Sequence, residues 1–275
     1  MIRVAVLLSG QIRHWQTASK YLKIWNDMDS EVTYDFFLSA WDDTYRGENA
    51  KDADLSMCNV SELVSTTIID TTGKDFVRYP YLLKRANLLK NAYEIEHGFK
   101  YNAVLATRPD VFLGPRMLND LVDNLKKDYI GHRTLFIDNG IQEKNWTVVD
   151  RDGAKVKAMS FIMNDFFVYG HSIAVNIFAE LYDDMMVRKI LINTGIHTTP
   201  AQHVINRGLN NRIATGFSCP IRYTNVQLIE DWYESGNLAK IFTNLKSNEH
   251  NWSNFKTEYS AQVDQYVEEV HTNPK

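Results

Sequence analysis

The sequence predicts an α/β fold: a mixed, mostly parallel central sheet with helices on both faces. Three observations point to it. Arg3 to Leu8 is almost continuously apolar, the pattern of a central parallel strand buried on both sides. Strand and helix patterns then alternate through the first 130 residues, and parallel strands need such crossovers. In the middle of the chain, strand patterns follow one another around an Asp150-Arg151-Asp152-Gly153 turn signal, which departs from alternation and makes the sheet mixed.

The elements follow in order. After the first strand, Ser9-Gly10-Gln11 ends the run and a helix is predicted from about His14 to Asp27. Tyr34 to Ala40 is a second buried strand, and the polar stretch from Trp41 to Asp54 is a loop. Asn59 and Glu62 stand at capping-box spacing and predict a short helix over Asn59 to Val64. Thr66 to Asp70 reads as a short β-branched strand. Tyr81 to His97 is the clearest helix: Leu82, Leu83, Ala86, Leu89 and Tyr93, with Ile95 or Glu96, recur at helical spacing, and Gly98 suits the position after its end. Ala103 to Thr107 is a strand, and Met117 to Lys127 an amphipathic helix. Strands are expected over 134–138, 147–153 and 157–170. Ser172 is placed to cap a helix reaching Lys189, and Thr199-Pro200 to start one reaching Leu209. Phe217 to Asn225 suggests a strand and residues 256–271 a helix.

Composition narrows the function classes. The 275 residues are 44% apolar, enough for one large core. With 30 basic against 34 acidic residues, nothing in the charge favours nucleic acid. Cys58 and Cys219 lie too far apart for a metal motif or a disulfide framework, so reduced thiols in a cytosol-like compartment are expected. The N-terminal apolar run is of strand length and reads as no signal peptide, so a cytoplasmic, unsecreted protein is expected. The Asn-x-Ser/Thr triplets at Asn59, Asn145 and Asn251 then count as chance. No segment approaches the roughly 20 apolar residues of a membrane span.

The chemistry concentrates at strand ends, where open parallel sheets bind ligands. In "YNAVLATRPDVFLGP" (residues 101–115), Arg108, Pro109 and Asp110 interrupt an apolar run. Proline cannot donate to a central ladder, so the interruption marks a strand end with a guanidinium and a carboxylate at the edge. Those two groups suit a phosphate and a metal or hydroxyl, or else form a salt bridge that closes a turn. At the first strand end, Ser9, Gly10 and Arg13 lead into a helix whose backbone N–H groups can face an anion, or form an ordinary turn. The glycine fingerprints of P-loop and dinucleotide-binding proteins are absent. At the second, Trp41 can stack on a base or pack, and Asp42 and Asp43 read as a solvated loop before a metal site. Asn164 and Asp165 interrupt a third apolar run, followed by Gly170-His171-Ser172. Asp165 is either a catalytic or acceptor-binding carboxylate or one satisfied by backbone amides.

Taken in order, these motifs resemble nucleotide-sugar-dependent glycosyltransferases of the GT-A type, most nearly a loosely characterised group of viral and bacterial sugar transferases. The likeness rests on Ser9 to Arg13, Trp41-Asp42, the helix carrying Arg85, Arg108-Pro109-Asp110, the "NDFFVYGHS" stretch, and "TPAQHVIN" with Gln202 and Asn206. It spans roughly residues 2 to 210. The resemblance implies a single GT-A-like, Rossmann-like domain over 1–275. Its nucleotide-binding part would span about 1–130, its acceptor side about 131–230, and a C-terminal helical extension about 231–275. It implies transfer of a sugar from a nucleotide-diphosphate sugar to a saccharide hydroxyl. Ser9, Gly10, Gln11, Arg13, Trp41, Arg85, Arg108 and Asp110 would hold the donor, and Asp165, Arg108 and His171 would act in catalysis. It also implies Mn²⁺ or Mg²⁺ on Asp110, with His197 or His203 in support, although only the last acid of the family's D-x-D is present. The alternative without that ion is neutralisation of the diphosphate by Arg13 and Arg108. Two competing functions are a non-catalytic nucleotide or carbohydrate binder, and a sugar-phosphate nucleotidyltransferase if Asp42, Asp43 and Asp110 form one carboxylate cluster.

Overall fold

The computed structural model describes residues 1–28, 30–45, 48–66, 78–113, 115–127, 130–138, 140–149, 155–163, 167–188, 198–214, 218–220 and 234. Strand β1 (Ile2–Gly10) is the axis of the molecule, with Val4 to Ser9 fully buried. Helix α1 (Trp15–Met28) leads to β2 (Val32–Trp41), a two-residue hairpin of β3 (Thr44–Tyr45) and β4 (Glu48–Asn49), and β5 (Val60–Val64). Helix α2 (Arg78–His97) returns the chain to β6 (Ala103–Thr107), which continues into β7 (Val111–Leu113) and α3 (Pro115–Lys126). Then come β8 (Thr134–Asp138), the antiparallel pair β9 (Ile141–Val149) and β10 (Lys155–Met163), and β11 (Phe167–Gly170). Helix α4 (Ser172–Ala179), a π-helical turn (Asp183–Val187), α5 (Thr198–Asn206), β12 (Asn210–Ala214) and β13 (Ser218–Pro220) complete the described chain.

Among the described residues, the main sheet has seven strands in the order β12-β8-β11-β6-β1-β2-β5. Six point the same way and β11 opposes them. The mixed, mostly parallel sheet read from the sequence is the sheet observed. The chain winds outward from β1 to β5, then crosses back to the other side of β1. Right-handed crossovers put helices on opposite faces when the direction of winding reverses. The core shows this division. Val4, Val6 and Leu8 share a buried cluster with Trp25 of α1 and Leu118 and Leu121 of α3. Ala5 and Leu7 share another with Leu83 and Ala86 of α2 and Phe178 of α4. Among the described residues, no helix is long and apolar enough to cross a membrane.

Three expectations are corrected by tertiary partners. The segment Asn59 to Val64 is no helix: Val60–Val64 pairs in parallel with Phe37 to Trp41. Its two capping-box residues serve the sheet instead. Asn59 Oδ1 accepts from the Phe36 amide at 2.7 Å, and Glu62 pairs with Arg85. Helix α2 exceeds its apolar stripe, because Lys90 and Glu94 are buried on the face that Ile95 leaves for solvent. Lys90 Nζ donates to Ser172 Oγ at 2.9 Å and Asn176 Oδ1 at 3.1 Å, joining α2 to α4. Burial pushes its ammonium down to about 8, with Glu94 opposing. Ser172 is thereby spent, and His171 rather than Ser172 caps α4. Residues 67–70, 150–153, 221–225 and 256–271 lie outside the described residues.

Tyr21 fixes the segment just beyond the β6 tip. Its hydroxyl donates to the Leu113 carbonyl at 2.8 Å and accepts from the Leu113 amide at 3.0 Å, all in the core. Tyr21→Phe leaves both backbone groups without that partner. It is expected to lower unfolding stability by about 2 kcal/mol, read as a lower urea midpoint at unchanged slope.

Candidate functional site

The winding reverses at β1, so β1 and β6 are neighbours at a topological switch point, and the carboxyl edge there is where open α/β sheets take ligands. Leu8 pairs with Thr107, so the residues after Thr107 emerge beside Ser9 and Gly10. Gly10 has φ +150°, and a Cβ there would stand 3.4 Å from Pro109 Cδ and 3.6 Å from Arg108 Cγ. The backbone angle calls for glycine, while a Cβ would only touch the neighbouring strand tip at ordinary contact distance.

The turn after Gly10 aims Arg13. Ile12 and Trp15, on either side, are buried at 3% and 5% exposure. The Trp15 indole donates to the Asp54 carbonyl at 2.7 Å. His14 holds φ +50°, a left-handed conformation uncommon outside glycine. Arg13 thus projects toward Asp110, its Nη1 3.7 Å from Asp110 Oδ2. Arg108 reaches the same carboxylate in a fork: Nε donates to Oδ1 at 2.8 Å and Nη2 to Oδ2 at 2.5 Å. Asp110 is 1% exposed, whereas the Arg13 and Arg108 side chains keep 30% and 25% of their surface. A buried carboxylate therefore backs two guanidinia that reach solvent.

The first strand end extends this network. Arg13 donates to Gln11 Oε1, and Gln11 Nε2 donates to Asp43 Oδ2 at 2.6 Å. Ser9 is fully buried, and its Oγ has no hydrogen-bond partner among the described residues; the same holds for Asp43 Oδ1. Asp43 was a loop residue on the sequence reading. Its link to Gln11 spans 32 residues, and no local pattern signals it. Asp42 instead ties the end of β2 to the chain just past β5, accepting from the Thr66 amide at 3.2 Å, and faces Lys51 at 3.5 Å.

Other expected site residues are placed elsewhere. Trp41 is 2% exposed and stacked on Tyr81 at 6.0 Å, so it packs in the core and presents no face for a base. Arg85 forks onto Glu62, with Nε to Oε1 at 3.0 Å and Nη2 to Oε2 at 2.6 Å, while Ser39 Oγ donates to Oε1 at 2.8 Å. Burial opposes ionisation of Glu62, but the Arg85 and Ser39 hydrogen bonds prevail and hold its carboxyl below the usual range. Arg85 thus ties α2 to β5 and β2. Gln202 and Asn206 pair with each other on exposed positions of α5. Buried His203 donates from Nε2 to the Ile177 carbonyl at 2.9 Å, and its Nδ1 lies 2.9 Å from Asp184 Oδ2. Asp165 and His197 lie outside the described residues. Phe167, two positions after Asp165, pairs with Thr107 at the edge that carries Asp110.

His171 belongs to the opposite edge. Strand β11 runs against its neighbours, so Gly170 pairs with Val104 near the start of β6. His171 is thereby separated by the length of that strand from Arg108 and Asp110, and takes no part in one constellation with them. There its Nδ1 accepts from the Ile173 amide at 3.2 Å as the N-cap of α4, with His132 Nδ1 at 3.4 Å.

The donor set at Asp110 does not fit a divalent cation. Both oxygens of its carboxylate are engaged by Arg108, with Arg13 beside them. Among the described residues, no group of three His, Cys, Asp or Glu stands close enough to share an ion. For the same reason Asp42, Asp43 and Asp110 form no carboxylate cluster for two metals.

No family model matches the chain, and no curated protein matches it. Among solved structures it is similar to the 2-C-methyl-D-erythritol 4-phosphate cytidylyltransferase of Francisella tularensis, at 9% identity and TM-score 0.44, covering 87% of this chain and 100% of that one. A glycosyltransferase involved in glycosylation of the major capsid of PBCV-1 aligns at 9% identity and TM-score 0.42, covering 86% and 100%. The galactosyltransferase LgtC, in complex with donor and acceptor sugar analogs, aligns at 10% identity and TM-score 0.32, covering 76% and 72%. Overlap this loose leaves the chain's own geometry to bear the functional conclusion.

The His171 cap is sensitive to acid. Desolvation, His132 and Lys90 all push its ring below the ordinary value of 6.5. The unfolded chain then takes up a proton that the folded ring resists. The stability contribution is complete above about pH 6.5 and declines below it, until the folded ring itself titrates. His171→Asn keeps a capping acceptor without a titrating ring. It is expected to flatten the fall in urea midpoint as buffers are taken from about pH 7 to about pH 5. The remaining slope includes His203, whose ring burial also pushes down. A variant slope equal to wild type would exclude His171 as a source of acid sensitivity.

Proposed function

We propose that the protein is a glycosyltransferase that moves a sugar from a nucleotide-diphosphate sugar to a hydroxyl of a saccharide acceptor. The observation that supports this best is the Arg13–Asp110–Arg108 cluster at the switch point of the sheet, where two partly exposed guanidinia stand over one buried carboxylate. That is an anion-binding arrangement at the position where an open α/β sheet receives a nucleotide. The nucleotide-binding part is residues 1–130, the acceptor side 131–230, with a C-terminal extension over 231–275.

In the proposed reaction, the bond between the anomeric carbon and the diphosphate oxygen breaks, and the diphosphate leaves with the electron pair. The acceptor oxygen forms the new bond to that carbon. Arg13 and Arg108 stabilise charge as it builds on the leaving group, and do so best when held in place beforehand. Asp110 orients Arg108, and Gln11, linked to Asp43, orients Arg13. For inverting transfer, Asp165 is assigned the proton of the acceptor hydroxyl. His171 serves the fold as the cap of α4.

A thermal-shift screen of nucleotide-diphosphate sugars, followed by transfer assays on any that raise the melting temperature, tests the reading. With the active donor, Arg108→Ala and Asp110→Ala are each expected to reduce transfer by about 100-fold or more while circular dichroism stays native. Wild-type turnover by either variant would remove that residue from the mechanism.

A further inference from the structure

The resemblance to GT-A enzymes brings with it a divalent cation on the donor diphosphate, and the acid after the strand-end proline is where it would be held. The side chains around that acid have the opposite character. Mg²⁺ and Mn²⁺ are hard cations that take about six ligands, chiefly oxygens, and an acid that binds them must present a lone pair. Asp110 is 1% exposed, and its two oxygens accept from Arg108 Nε at 2.8 Å and Nη2 at 2.5 Å. Arg13 Nη1 stands 3.7 Å from one of them. An ion on this carboxylate would have to displace a bidentate guanidinium and then sit beside two positive side chains.

Charge at the site runs the same way. At the strand tips Arg13 and Arg108 both stand on the Asp110 carboxylate and keep 30% and 25% of their side-chain surface toward solvent. Arg13 also stands two residues before the first residue of α1, so the dipole of that helix adds charge of the same sign. Guanidinia that reach solvent disfavour a cation beside them and favour a diphosphate. Guanidinium N–H groups match phosphate oxygens, and the Nε and Nη2 bonds to Asp110 already orient Arg108, so little side-chain freedom remains to be lost on binding.

We infer that Arg13 and Arg108 hold the diphosphate directly and that this site binds it without a divalent cation, Asp110 acting as the positioning residue for Arg108. The inference rests on the diphosphate site of the proposed function and specifies how that site neutralises its ligand.

Isothermal titration with inorganic pyrophosphate, in EDTA and again in Mn²⁺, tests it on the full chain, together with a titration of Mn²⁺ alone. The expected result is equal pyrophosphate affinity in both buffers and no binding of Mn²⁺ alone. Arg13→Gln and Arg108→Gln should each weaken pyrophosphate in EDTA by about tenfold or more, the scale of one lost charge-assisted fork. Pyrophosphate binding that requires Mn²⁺, or Mn²⁺ binding that disappears in Asp110→Asn, would overturn the inference and leave the proposed sugar transfer standing. Absence of pyrophosphate binding in either buffer would overturn both. Unchanged affinity in the two arginine variants, each checked as folded by circular dichroism, would overturn the assignment of these side chains.

Discussion

A carboxylate almost without solvent needs partners for its oxygens. Asp110 is in that position, and it has them in the fork from Arg108 with Arg13 nearby. The converse also holds, since Asp110 fixes where the Arg108 guanidinium points. This one pairing makes demands on the rest of the structure. The β1 tip must turn beside Pro109 through a backbone angle of φ +150°, which Gly10 adopts without strain. Arg13 must project toward β6, which the buried anchors Ile12 and Trp15 and the left-handed backbone of His14 bring about. The chain after Asp110 must be held, and Tyr21 and the pairing of β7 with β13 hold it.

Sheet topology explains why these groups meet at all. Winding outward through β2 and β5 and then back across β1 places two crossovers on opposite faces and leaves their strand tips side by side. The switch point thus follows from packing rules, and it brings the arginines together at one edge. The opposite edge of the sheet is also rich in polar groups, but its histidines cap and pair around α4, and its lysine is buried between two helices. Polar interruption of an apolar pattern accordingly has two meanings in this protein. At the carboxyl edge it supplies partly exposed charge. In α2 and around His171 it supplies buried or half-buried joints between elements.

Lys90 and Glu62 show where sequence pattern fails. Nothing near Lys90 in sequence announces a fully buried ammonium, because its partners Ser172 and Asn176 lie more than 80 positions away. Glu62 and Asn59 have the spacing of a helix cap, yet a parallel neighbour outbids a single turn of helix for the same backbone groups. Trp41 follows the same logic, since an aromatic ring at a strand end suits a ligand or a core, and Tyr81 and Leu82 from α2 make it core.

Local pattern by itself determined the α/β class, the buried first strand, the long helix ending at Gly98, and the strand end at Arg108-Pro109-Asp110. Each depends on nearest-neighbour rules: apolar runs, helical spacing, the backbone freedom of glycine, and the missing amide of proline. Tertiary structure alone decided that β11 runs antiparallel, which carries His171 to the far edge, and that Asp43 joins Gln11 and Arg13 at the strand tip. It also chose the Arg108–Asp110 salt bridge from the two readings open in the sequence, and brought Arg13 to the same carboxylate from β1. The physical reason is that strand direction and charge pairing are set by partners distant in sequence, and the free energy of a buried charge depends on what surrounds it once the chain has folded.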